Sequence, residues 1–316
     1  MSLVTACAAQ TKQSPASSPE TSLSNGKVTL RLHLPDAAAG YYRGTRFDHS
    51  GLVYDVQYAG HHFMGNWQDV PAPLSHDCVS GPAGEFGIKE PLGYREAAVG
   101  GHFYKIGVGV LRKTTDKPYQ FWTASQVVQM LPWKVDAKET SIRFEQILPV
   151  ENGWGYSYVR QITLLDDAPG FEIRQTLRNT GTNHIRIEYY AHNFVIIDGR
   201  KIGPAYRITY PFDLSLAGQA MPGPSQIKGR TITFSADMGD DHCNLPLKGF
   251  RSPADNNVLL ENLESHASIR IMGDRTPSRA ALYAGANAAC PEMFVELNIP
   301  PGKQETMVTT YLLETR

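Results

Sequence analysis

The chain has 316 residues, 41% of them hydrophobic and 19% charged, and its 30 Lys and Arg against 31 Asp and Glu leave a formal net charge of -1. That balance lacks the strongly basic face of a nucleic-acid binder, and the apolar content excludes wholesale disorder. No apolar run approaches the roughly 20 residues needed to span a bilayer, and 28 Gly with 21 Pro are heavy punctuation for a helical protein.

At the N-terminus, Val4-Thr5-Ala6-Cys7 resembles a bacterial lipoprotein processing box, in which small residues precede a Cys that is cleaved and lipidated. The positively charged start and long apolar segment that usually precede such a box are missing from this sequence. The alternative is a cytoplasmic protein with a chance Cys. On the lipoprotein reading the protein is periplasmic and touches a membrane only through a lipid on Cys7, with Ala8 favouring the outer membrane. Residues up to 26 are rich in Ser, Thr and Pro and hold no aromatic, so 1–26 read as box plus disordered tether and 27–316 as the folded body. Cys78, Cys243 and Cys290 form no CxxC and read as buried thiols, with at most one disulfide among them.

From Lys27 onward β-like runs follow one another at 27–34, 51–58, 103–112, 141–148, 156–165, 171–178 and 185–197. They continue at 206–216, 229–235, 266–272, 279–284, 292–299 and 305–314. Most alternate with period 2 and are rich in β-branched or aromatic residues. Turn chemistry separates them, as at Asp166–Gly170, Asn179–Asn183 and Pro300–Lys303. Short helical turns are expected near 121–131 or 257–264, and no long capped amphipathic helix is legible. At roughly 150 residues per domain the length suggests two domains, but an unbroken rhythm of strands argues for one large antiparallel β-sandwich.

No GxxxxGK[ST], HExxH or GxSxG occurs. Gly107-Val108-Gly109 has Arg112 where a dinucleotide fingerprint needs its third glycine, so it reads as backbone crowding or a bulge within a strand. No cofactor is implied, and no ligand spacing supports a metal.

Two strands separate cleanly into faces. In 184–194 the odd positions Ile185, Ile187, Tyr189 and Ala191 are apolar, whereas the even face carries His184, Arg186, Glu188, Tyr190, His192 and Phe194. In 292–299 Met293, Val295, Leu297 and Ile299 oppose Glu292, Phe294, Glu296 and Asn298. A face mixing carboxylates with aromatics suits a sugar, which needs ring stacking and polar contacts together; a solvated outer face is the bland alternative.

These residues resemble those of a known family. Leu177-Arg178-Asn179-Thr180-Gly181 followed by Tyr190-Ala191-His192-Asn193-Phe194 is similar to the N-x-G turn and catalytic-His strand of galactose mutarotase-like proteins, the aldose 1-epimerases among them. Cys290-Pro291-Glu292, Pro301-Gly302-Lys303 and the closing strand to Tyr311 resemble their ending, and Tyr42-Arg43-Gly44-Thr45-Arg46-Phe47-Asp48 resembles their early strand. The family's N-x-L-H-G-G and R-x-x-N-R segments are missing; Gly81–Gly87 and Gly100–Lys105 stand where they would fall, so the chain resembles an outlying branch.

The resemblance implies a single-domain β-supersandwich and an isomerase that interconverts the anomers of a hexose or sugar acid. It implies His192 as acid at the ring oxygen and Glu292 as base at the anomeric hydroxyl, with Glu296 as substitute base and Tyr190 beside them. Arg46 is a candidate for orienting substrate, His76, Asp77 and Glu85 for a loop lining the cleft, and His102 and Lys105 for contacts to hydroxyls. Any of the four Trp could stack on a sugar, although each fits core packing better. Two other functions share the scaffold: lyase or glycosidase action on oligosaccharides, which would lean on Asp77 and Glu85, and a non-catalytic carbohydrate-binding lipoprotein.

Overall fold

A computed structural model describes residues 18–68 and 70–316. The lipoprotein-like box and Cys7 lie outside the described residues.

Two large antiparallel sheets face each other. The ten-stranded sheet runs, in spatial order, through Ser225–Lys228, Thr231–Phe234, Tyr206–Thr209, Asn257–Asn262, Ala267–Gly273, Gln304–Thr315, Gly170–Asn179, Trp154–Leu164, Ser141–Glu151 and Trp133–Ala137. The six-stranded sheet runs through Ser215–Leu216, Cys243–Lys248, Arg279–Gly285, Ala288–Ile299, Ile185–Asn193 and Pro82–Phe86. The core fills the space between them. Phe144, Ile162, Ile173 and Leu260 from the larger sheet meet Leu245, Leu282 and Ala284 from the smaller. Further along, Tyr156, Tyr158 and Leu177 meet Ile185, Ile187, Val295 and Leu297. Apolar residues recur at every second position because successive side chains of a strand leave opposite faces. That is why the odd faces of 185–193 and 292–299 are core, as the sequence pattern indicates.

Several expectations change. The folded body starts before Lys27: Glu20–Ser24 is a strand paired with Val28–His33, and Leu23 is fully buried in the main core. The run 103–112 is a hairpin of His102–Lys105 and Gly109–Arg112, not one strand. Residues 126–130 and 257–262 are strands where helical turns were expected; the one helical element among the described residues is a single 3-10 turn at Pro253–Asp255. In both segments the tertiary ladder overrides a weak local pattern. Cys78, Cys243 and Cys290 are free and buried.

Gly107 sits at the tip of that hairpin with φ +83°, and a Cβ there would come within 2.7 Å of the Asp48 Cβ. Asp48 is a buried hub: it accepts from Tyr158 Oη at 2.7 Å and from the Ser50 amide and hydroxyl at 2.8 and 2.7 Å. The glycines here therefore serve close approach, as expected, although in a turn and not in mid-strand. Gly107→Ala combines a left-handed φ with a clash and is expected to cost about 1–3 kcal/mol, read as a lowered denaturant midpoint.

Candidate active site

The outer face of the six-stranded sheet, turned away from the core, carries a second apolar layer. Tyr190, Phe194, Ala281, Cys290 and Phe294 pack there against Tyr42, Phe47 and Val79 from the N-terminal segments. The same alternation that buries the odd residues of 185–193 and 292–299 places Tyr190, His192, Glu292 and Phe294 on this face. Within it lies a cleft of about 620 Å³, lined among others by Arg46, His76, Asp77, His192, Arg279 and Glu292.

Strand register brings the central pair together. Tyr189 pairs with Val295. The offset is carried on by Asn193 Nδ2, which donates to the Pro291 carbonyl at 2.8 Å, and by the Val195–Ala289 bridge. His192 therefore lies across from Glu292, with Nε2 3.2 Å from Glu292 Oε1. The imidazole is stacked on Phe194 (centroids 4.3 Å, interplanar 7°) and meets Phe47 and Tyr283 edge-on at 5.8 and 5.9 Å.

Burial sets the charge of this pair. The Glu292 side chain is 11% exposed, and loss of hydration pushes its carboxyl up to about 7. Burial, followed by the nearby Arg46 charge, drives His192 well below its ordinary value. The pair thus holds one proton below about pH 7, resting on Glu292. His192 Nδ1 is closed off without a hydrogen-bond partner among the described residues, which leaves the ring fixed by its aromatic neighbours and Glu292.

Because the folded state raises the Glu292 pKa above its unfolded value, this group favours folding while protonated. The benefit disappears as pH rises through about 7, and the ionised carboxylate then costs about 3 kcal/mol. Glu292→Gln is therefore expected to raise the melting temperature relative to the parent near pH 8.5, and far less near pH 5, in paired thermal melts.

Behind the pair stands a closed ion cluster. Glu85 Oε2 accepts from Arg46 Nε at 2.9 Å and Tyr190 Oη at 2.7 Å, and Oε1 accepts from Lys105 Nζ at 3.0 Å. Arg46 Nη2 donates to Tyr190 Oη at 2.9 Å. Glu85 and Lys105 are fully buried. Burial alone would raise the Glu85 pKa, but Lys105 and Arg46 together hold it below the usual range, so it stays ionised.

Of the residues singled out from sequence, His192, Glu292, Arg46, Tyr190, His76 and Asp77 line one cleft. Asp77 is tied to Gln68 Nε2 (2.6 Å) and Ser75 Oγ (2.8 Å). Four others fall elsewhere. Glu85 and Lys105 are walled in and support Arg46 and Tyr190 instead of meeting a ligand. His102 pairs with Glu151 at 2.8 Å outside the cleft. Glu296 is on the expected face but is exposed, in a separate open groove of about 650 Å³ with Glu188 and Lys89; four residues along the strand carry it too far from His192 to replace Glu292. Sequence reading passed over Arg279, Tyr283 and Asn244. The alternation of 279–284 marked a strand, but nothing local tells which face of it meets His192. Trp67 lines the cleft and packs on Phe194 and Tyr283 at 5.8 and 5.5 Å.

No family model matches this chain, and no curated protein does. Solved structures do. The chain superposes on a galactose mutarotase-like protein from Lactobacillus casei ATCC 334 with TM-score 0.55 at 11% identity, over 93% of this chain and all of that one. The GalM/aldose epimerase homologue from C. elegans gives TM-score 0.58 at 11% identity, over 95% and 99% of the two chains. The fold is that of the galactose mutarotase-like proteins. A protein from Synechocystis sp. PCC 6803 shares it too, with TM-score 0.57 at 13% identity over 98% of this chain and all of that one. Likeness at this level of identity extends to the mutarotase-like sandwich and not to any particular chemistry.

Proposed function

We propose that this mutarotase-like protein interconverts the anomers of a hexose or sugar acid in the cleft around His192 and Glu292. The observation that carries this reading is the pair itself: an imidazole and a carboxyl 3.2 Å apart, close enough to pass one proton between them, on an aromatic-walled floor. Ring opening needs a base to take the proton from the anomeric hydroxyl and an acid to protonate the ring oxygen as the C1–O5 bond breaks. Transfer of the shared proton from Glu292 to His192 produces carboxylate and imidazolium, the forms that do both. The aldehyde then rotates about C1–C2. Closure returns each proton and yields the other anomer, so the enzyme ends as it began. Arg46, held by Glu85 and Tyr190, orients the ring, and Trp67 and Tyr283 offer apolar faces to its C–H edges.

Fresh α-anomers of several hexoses, followed by one-dimensional NMR, test this. Accelerated equilibration to β supports it. No acceleration, with saccharide-dependent thermal shifts, points to a binding protein, and new reducing or unsaturated ends from oligosaccharides point to a glycosidase or lyase. The native setting we propose is the periplasm, with Cys7 as lipid anchor; metabolic labelling with a fatty acid in the native host, lost in Cys7→Ser, is the expected result.

A further inference from the structure

We infer that the sugar taken by this cleft carries an anionic substituent on C5, a carboxylate or a phosphorylated hydroxymethyl, and that Arg279 reads it. The inference rests on the anomer-interconversion reading, which places C1 at His192 and Glu292.

Two guanidinium groups reach the cleft, and both are prepared in the same manner. Arg46 sets Nε against Glu85 and lies over the rings of Phe47 and Phe121, 4.3 and 4.1 Å from their centroids. Arg279 sets Nε and Nη2 against the two oxygens of Glu188 at 2.8 and 2.7 Å and lies 3.4 Å above Phe294. Each fork is thus locked along one edge and against aromatic rings, two for Arg46 and one for Arg279. In both, Nη1 makes no hydrogen bond to the described residues and is not sealed off by them. A fork held this way has lost its rotamer freedom before any ligand arrives, the condition under which Arg binds an oxyanion best.

The charges behind the forks do not cancel them. Glu85 is shared between Arg46 and Lys105, and Glu188 between Arg279 and Lys89 at 3.3 Å. Each carboxylate therefore serves two cations. Asp77, held through Oδ1 by Gln68 and Ser75, keeps its charge, while burial keeps Glu292 protonated below about pH 7, so Arg46, Lys105, Arg279 and Lys89 still outnumber the carboxylates Glu85, Glu188 and Asp77. From such a surplus a neutral pyranose would draw hydrogen bonds in which only the donor is charged, whereas an anion draws paired, bidentate bonds charged on both sides.

Position along the strand selects Arg279. It pairs across from Phe294 and stacks on it, two residues from Glu292 on the same face. Two strand residues span about 7 Å, the reach of one pyranose from its anomeric hydroxyl to the substituent on C5. Arg46 lies closer to the reacting end, where its charge bears on both His192 and Glu292, whereas that of Arg279 reaches Glu292 and not His192.

The test compares kcat/KM for catalysed anomer exchange of glucose, galactose, glucuronate, galacturonate and glucose 6-phosphate. Either the uronates or the phosphate ester are expected to exceed the neutral hexoses by about 10- to 100-fold, and which of the two does so names the anion. Arg279→Gln should erase that preference, lowering kcat/KM on the favoured anion far more than on the neutral hexoses; Arg279→Lys should restore part of it. Thermal melts check that both variants fold. Equal rates on neutral and anionic sugars, or an equal loss on both in Arg279→Gln, overturns the inference while leaving anomer interconversion standing. If no sugar is turned over, the parent reading fails. Binding by tryptophan fluorescence then decides the anion question alone: a preference for glucuronate or glucose 6-phosphate over glucose that depends on Arg279 sustains it, and none ends it.

Discussion

Glu292→Gln and His192→Ala are each expected to lower the catalysed rate of anomer exchange by about 10²–10⁴-fold, the usual worth of a positioned acid or base. The double substitution is expected to cost little more than either single one, because the residues act on one proton as a unit. Polarimetry or NMR on a fresh anomer, corrected for the uncatalysed rate, measures this. The pH dependence is the sharper discriminator. A lone carboxylate base would gain activity as pH rises through its pKa. A pair that must hold one proton behaves in the opposite sense: with Glu292 near 7 and His192 far lower, it has its proton below about pH 7 and loses it above. Activity should therefore hold through mildly acidic pH and fall tenfold per unit above about 7, a macroscopic property of the pair. A profile that rises through neutrality, or substitutions that leave the rate intact, would remove this pair from the mechanism.

Glu85→Gln is expected to be the most destabilising single change near the site. It leaves Arg46 and Lys105, 7% and 0% exposed, facing a neutral amide, and breaking a buried ion pair in this way costs about 3–5 kcal/mol. Lys105→Met should cost clearly less, since Glu85 keeps Arg46 and Tyr190 as partners. Denaturant midpoints at unchanged slope measure both. The reverse order of the two variants would show that the cluster is not organised around Glu85.

Much of the site was readable because strands write their faces with period 2. Interleaving of His192, Tyr190 and Phe194 with apolar Ile187 and Tyr189 marked one face, and Glu292 with Phe294 marked a second. Glu296 shows the limit of that reading: the correct face, but four residues further along, beside Glu188 and outside the cleft. His102 was misplaced for a related reason. The run 103–112 looks like one strand, yet Gly107 and Gly109 allow a reversal, so the residues before it lead away from His192. Glu85 and Lys105 were expected to meet a ligand, but burial sets both behind the cleft, against Arg46 and Tyr190.

By itself, the sequence determined the all-β class, the single large body, the alternation that faces His192 and Glu292 outward from the core, and the glycines at close approaches. These follow from local sterics and side-chain period, which a few residues in a row are enough to express. Tertiary structure alone decided that the strands of His192 and Glu292 are neighbours in register, that Arg279 and Tyr283 join them from a third strand, and that Glu85 is buried while Glu296 is not. Such facts depend on which distant segments pair and on what covers them. The same burial that fixes those contacts also moves the proton of Glu292, which no local pattern of residues encodes.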